Sequence, residues 1–193
     1  QRQMCIRDRV ITGQASRKIK KDKAITSSED YHKLLKEVKH NIELNSNIID
    51  YLLFIQLKTG LRFGEVLGLT WDCVLNETQE VKTYRRYDPR KKEWRPPKTA
   101  TSIRTIPIDS ETLHFLNQLK EIQSRDIEQT NIKNKENHIF FDLYTVVPSN
   151  HEVNKRLREH LKKLKLKPLD LSATGIRHTY ASIMLGYGID IWV

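Results

Sequence analysis

The chain has 193 residues, enough for one domain with a genuine core, and its 34 lysines and arginines against 24 acidic residues leave a formal charge of +10. That balance points to a polyanionic partner, nucleic acid first and an anionic membrane surface second. No apolar run spans a bilayer, because Asp50 and Gln56 interrupt the best candidate, and Cys5 and Cys73 lack any partner at metal-ligand spacing, which argues against a disulfide framework or a zinc site and makes the reducing cytoplasm the expected compartment.

Residues 1–23 read as a leader and a basic linker. Gln1 to Arg9 have no periodicity and no signal-peptide core, look unlike the rest of the chain, and read as spurious. Arg17-Lys18-Ile19-Lys20-Lys21-Asp22-Lys23 is a basic run without apolar rhythm. The domain proper is expected over 24–193. Thr26-Ser27-Ser28-Glu29 is a capping-box pattern with Thr26 as the cap, and Tyr31, Leu34, Leu35, Val38 and Ile42 follow at helical spacing. A second helix, Ile48 to Lys58, is apolar all round and should be central. Gly60 ends it in the place of a left-handed cap. Arg62 then projects from a turn, and Glu65, Val66 and Leu69 open a short helix with Val66 and Leu69 on one face.

Val81 to Tyr87 and Ser102 to Ile108 read as an antiparallel strand pair joined by an extended, basic connection that includes Asp88-Pro89-Arg90-Lys91-Lys92. Lys98 lies just before the returning strand. Asp109-Ser110-Glu111-Thr112 opens a helix striped by Leu113, Leu116, Leu119 and Ile122. His138 to Phe141 is a short buried extended piece. Val153, Leu157, Leu161 and Leu164 stripe the next helix, with Lys155, Arg156, Arg158, Lys162 and Lys163 on its other faces. The last helix starts near Thr174 or Gly175 and runs to about Gly186. The reading is mainly α with a small antiparallel β-sheet.

Three stretches, in order, carry a resemblance. They are Thr59-Gly60-Leu61-Arg62-Phe63-Gly64-Glu65-Val66-Leu67-Gly68-Leu69-Thr70-Trp71; Pro96-Pro97-Lys98-Thr99 followed by Ser102-Ile103-Arg104-Thr105-Ile106-Pro107; and Gly175-Ile176-Arg177-His178-Thr179-Tyr180-Ala181-Ser182. Together they resemble the catalytic domain of the tyrosine recombinases, the phage-type integrases. A lone arginine in a turn is ordinarily a solvated charge, but three matches in family order are specific.

The resemblance implies that Arg62 and Arg177 converge on one phosphate and stabilise its pentacoordinate transition state. It implies that Lys98 is the general acid for the leaving 5′ oxygen. Glu65 would orient Arg62, and His178 would support the site. Arg17, Lys18, Lys20 and Lys21 of the linker, with Arg95 and Arg104, become candidate DNA contacts. No metal or cofactor is expected, since covalent linkage to the enzyme stores the phosphodiester energy.

The partner would be double-stranded DNA attachment sites, bound in intact form by a tetramer on paired DNA, with no membrane. The chain departs from the pattern twice. Thr174 stands where the family usually has a histidine or lysine, and a hydroxyl cannot serve as a base near neutral pH. No tyrosine matches the family's nucleophile, so residues 24–193 are expected to lack the C-terminal tyrosine segment, and Tyr180 is expected in the core. The implied activity is site-specific strand cleavage and rejoining through a 3′-phosphotyrosine, integrating or excising a mobile element. A non-cleaving DNA-binding module and a type IB topoisomerase relative are the alternatives.

Overall fold

The computed structural model describes residues 23–130, 133–142 and 147–189. The leader and the linker candidates Arg17, Lys18, Lys20 and Lys21 lie outside these. Helix α1 (Ser28–Asn45) is capped by Ser27, not Thr26: the Ser27 hydroxyl accepts from the Asp30 N–H. Its buried stripe is Tyr31, Leu34, Val38 and Ile42.

Helix α2 (Ile48–Thr59) is the hub. Tyr51 to Ile55 and Leu57 are completely buried, and α1 and three later helices, α4, α5 and α6, pack around them. The two polar residues that interrupt this apolar run are also completely buried. Asp50 reaches α5 (Asn150–Leu164), where Arg156 meets it through Nη2 at 2.6 Å and Nε at 3.0 Å, and His160 Nε2 lies 2.7 Å away. Arg156 therefore does not belong to a solvated outer face. It turns inward because a carboxylate with no water needs a fork of donors.

Burial raises the Asp50 pKa, but the hydrogen bonds and charges of His160 and Arg156 outweigh it, and the net shift is downward. Gln56 reaches the start of α6 (Ala173–Gly186).

Helix α2 stops at Gly60, whose φ of 63° is left-handed. The Tyr180 ring of α6 lies against it, so that an added Cβ would come within 2.3 Å of that ring. Tyr180 is accordingly half-buried against a backbone rather than in the core. Gly60→Ala combines a disfavoured φ with overpacking and should cost roughly 2–4 kcal/mol. Urea unfolding of the two proteins measures it, and a loss under 1 kcal/mol would mean Tyr180 simply swings away.

The short helix α3 (Phe63–Leu67) ends before Leu69. A 3-10 turn (Trp71–Cys73) leads into β1 (Val74–Leu75) and β2 (Glu80–Thr83). The expected strand Val81 to Tyr87 is broken. Its first part, β2, pairs antiparallel with β5 (Arg104–Pro107), Val81 facing Ile106, in a sheet ordered β1-β2-β5. Its last part becomes β3 (Arg86–Asp88), which forms a separate hairpin with β4 (Glu93–Arg95).

The break has a cause at Gly68. A Cβ there would sit 2.9 Å from the Arg85 carbonyl, so the chain leaves the sheet to cross closely over the end of α3. Arg85 itself lies 3.7 Å above the Trp94 ring, and the Trp94 ring stacks on buried His138 at 4.6 Å. The hairpin is thereby docked on the 138–141 segment, which is buried as expected but forms only an isolated bridge from His138 to Thr70 before the backbone bends at Ile139 and Phe140.

Helix α4 (Ser110–Thr130) buries Thr112, Phe115, Leu116, Leu119 and Gln123, so the core stripe is rotated from the expected one and Phe115, not Leu113, packs edge-on against Phe54 at 4.9 Å. In α5 the buried stripe is Val153, Leu157, His160 and Leu161. The architecture is mainly helical with small antiparallel sheets to one side. Among the described residues no helix is long and apolar enough to cross a membrane.

Candidate functional site

Four pieces of the chain meet at one cleft of about 550 Å³. The turn after α2 brings Arg62, α3 brings Glu65, the loop after β4 brings Lys98, and α6 brings Thr174, Arg177 and His178. The six candidate catalytic and supporting residues thus line a single cavity. Arg86 of β3 lines it too and was not singled out from the sequence. Its Nε donates to the Pro96 carbonyl at 3.0 Å, and nothing local in the sequence marks it apart from other strand arginines.

Glu65 is only 3 % exposed and makes the floor. Its carboxylate accepts from the Arg62 backbone N–H at 3.0 Å, from Arg62 Nη1 at 2.9 Å and from Arg104 Nη2 at 3.1 Å. Burial pushes its pKa up, yet these donors pull it below the usual carboxylate range. A carboxylate so engaged holds guanidiniums in place. Arg104, a candidate DNA contact, is thereby tied to Glu65 but does not itself line the cleft. Arg62 Nη1 also donates to the Ser102 hydroxyl at 3.2 Å, and Ser102 Oγ lies 3.1 Å from Thr99 Oγ1. The segment carrying Lys98 is thus tied beside Arg62.

Arg177 donates through Nη1 to the Gly60 carbonyl at 2.8 Å. Helix α6 begins earlier than expected, with Ser172 as the cap and Ala173 the first residue, so Arg177 stands in the second turn rather than the first. Burial lowers its pKa to about 10, with the positive charges of Arg62 and Arg104 adding to the effect and Glu65 opposing it. It stays protonated at neutral pH, in a site with more positive charge than Glu65 balances. An anion placed between Arg62 and Arg177 would relieve that repulsion.

Lys98, Thr174 and His178 are exposed at the mouth. Among the described residues Lys98 makes no hydrogen bond or ion pair, which leaves its ammonium able to reach a ligand. Arg95 is not brought to the cleft. It pairs within the hairpin with Glu93 at 2.6 Å and Asp88 at 3.9 Å. Neither Tyr180 nor Tyr187 lines the cleft. Among the described residues no group of three or more His, Cys, Asp or Glu side chains is placed to hold a metal ion. A more apolar cavity of about 240 Å³ between Ile48, Leu119, Ile122 and Phe141 has no basic side chain in its lining.

Residues 24–193 match the model of the phage integrase family. The tyrosine recombinase XerC-like protein of Caldanaerobacter subterraneus subsp. tengcongensis is 26% identical over 202 residues, covering 94% of this chain and 48% of that protein. The chain therefore spans about half the length of the curated relative it matches.

Among solved structures, the fold is similar to the Tn1549 transposon integrase in complex with circular intermediate DNA, with a TM-score of 0.65 at 17% identity over 85% of this chain and 55% of that one. It is also similar to the XerA recombinase, with a TM-score of 0.61 at 16% identity over 85% of this chain and 51% of that one. A third similar fold is the XerH site-specific recombinase bound to its palindromic difH substrate, with a TM-score of 0.62 at 17% identity over 89% of this chain and 45% of that one.

Proposed function

The chain belongs to the phage integrase family, and from that premise we propose that it forms the phosphate-binding part of the catalytic domain of a site-specific DNA recombinase, acting on double-stranded attachment sites. The carrying observation is the pair Arg62 and Arg177, which reach one cleft beside the C-terminal end of α2, one from the turn before α3 and one from α6, and are held there by Glu65 and by the Gly60 carbonyl.

Two fixed guanidiniums match the non-bridging oxygens of one phosphodiester. As a nucleophile attacks phosphorus, charge on those oxygens grows, and the forks stabilise it without having to reorganise. Lys98 gives a proton to the departing 5′ oxygen. In the intact protein a tyrosine would be the nucleophile, forming a 3′-phosphotyrosine with release of a 5′-hydroxyl. Attack by a 5′-hydroxyl of a second duplex reverses the step and joins new partners. The proposed assembly is a tetramer on two paired sites, acting for a mobile element, because exchange between two duplexes needs two strand breaks on each.

Thr174 favours a second reading, a DNA-binding module that no longer cleaves. Its hydroxyl is exposed at the mouth, at the position where a base would be needed.

Both readings require duplex binding that weakens steeply with salt, because each phosphate neutralised adds roughly 0.9 to the slope of log affinity against log salt. Titration of a labelled duplex at 50 and 200 mM salt tests this. Affinity that does not change between them would remove nucleic acid as the partner.

A further inference from the structure

Gln56 is completely buried in the middle of α2 and does not line the cleft. Its side-chain Nε2 donates to two carbonyls, that of Leu61 at 3.1 Å and that of Ala173 at 2.8 Å. Leu61 immediately precedes Arg62. Ala173 immediately precedes Thr174 and starts the helix that carries Arg177. The same residue is gripped a second time, since the Ala173 N–H donates to Asn154 Oδ1 of α5 at 2.8 Å. One amide group therefore joins the two backbone segments from which the guanidiniums project.

The choice of glutamine here is not one that packing favours. Gln56 Oε1 is buried without a hydrogen-bond partner, a cost that an apolar side chain of the same volume would avoid. The surrounding residues Ile55 and Leu57 are apolar and completely buried. What glutamine supplies is two N–H donors on one rigid plane, aimed in two directions. The two segments have reason to separate, because each presents a cation to the other in the same cleft.

We propose that Gln56 is a positioning residue that sets the separation of Arg62 and Arg177, holding the pair at the spacing of one phosphate before any phosphate arrives. This rests on the phosphate-binding reading of the cleft. Preorganisation of this kind is sensitive to small shifts, since a misplacement of about 1 Å can cost roughly 10²-fold.

The test is a titration of the 193-residue chain with inorganic phosphate, followed through the guanidinium Nε–H resonances of Arg62 and Arg177, assigned with Arg62→Lys and Arg177→Lys. Both resonances of the parent should move with one shared midpoint. Gln56→Met keeps the volume and removes both donors. Where its urea unfolding midpoint stays near that of the parent, its phosphate midpoint should rise roughly 10-fold or more and the two arginines should no longer titrate together. A folded Gln56→Met with the parent's shared midpoint overturns the proposal.

If Gln56→Met does not fold, the parent decides. Its Gln56 side-chain amide protons should exchange slowly and shift when phosphate binds, and exchange as fast as in exposed glutamines overturns the brace. A parent in which neither arginine responds to phosphate sinks the reading of the cleft itself, and the brace with it. A responsive parent beside an equally responsive variant removes the brace alone.

Discussion

Lys98→Ala, in a chain extended to the length of its relatives, will slow strand cleavage by roughly 10²–10⁴-fold while leaving duplex affinity nearly unchanged. A guanidinium acts as a fork for phosphate oxygens rather than as a proton donor, whereas Lys98 stands at the mouth of the same cleft. The leaving 5′ alkoxide is strongly basic and needs a proton as its bond to phosphorus breaks. Replacing that bridging oxygen with sulfur removes the need, because a thiolate leaves unaided. Lys98→Ala should then recover most of its lost rate, and Arg62→Ala and Arg177→Ala should stay slow. A lysine defect that sulfur leaves untouched would make Lys98 a phosphate clamp and send the search for the acid elsewhere.

Arg156→Met should be the most damaging single change to stability, at about 3–5 kcal/mol, because it strips a completely buried carboxylate of its fork. Asp50 would keep only His160. The pH dependence carries the sign. The folded Asp50 pKa lies below the ordinary 3.8, so its stabilising contribution is in place above 3.8 and is lost as pH falls through the lower folded value. The difference in unfolding free energy between parent and Arg156→Met should therefore be largest near neutrality and narrow below about pH 4. A constant gap across that range would assign the loss to packing of the arginine stem instead.

Much of the candidate cleft's make-up was legible in the sequence because its residues sit near element boundaries, where glycines, caps and a change of hydrophobic period mark the turns. Arg62 after Gly60 and Arg177 near the start of α6 are cases of this, and the family pattern tied Lys98 to them. What was not legible lies where one residue type serves two purposes. Asp50 and Gln56 read as interruptions of an apolar helix, and both are buried partners of distant elements. Arg156 read as one more surface charge on a basic helix because its partner is 106 residues away. The split of β2 from β3 depends on the close crossing at Gly68, which no alternation of side chains records. In α4, Phe115 displaced Leu113 from the core because the aromatic ring fills the space beside Phe54.

The polar residues of α2 also bear on how the chain is made. The contacts that complete the cleft join residues 117 apart, Gln56 with Ala173 and Gly60 with Arg177. At a synthesis rate of about 5–20 residues per second, Gln56 is made roughly 6–23 s before Ala173. Before α5 and α6 are made, Asp50 lacks Arg156 and His160 and Gln56 lacks Ala173, so the helix cannot bury its apolar surface without also burying an unmatched carboxylate and a half-matched amide. Early collapse around α2 is disfavoured until α5 and α6 arrive. The nascent chain meanwhile carries Arg62 without Arg177. Assembly of the cleft and completion of the core become the same late event.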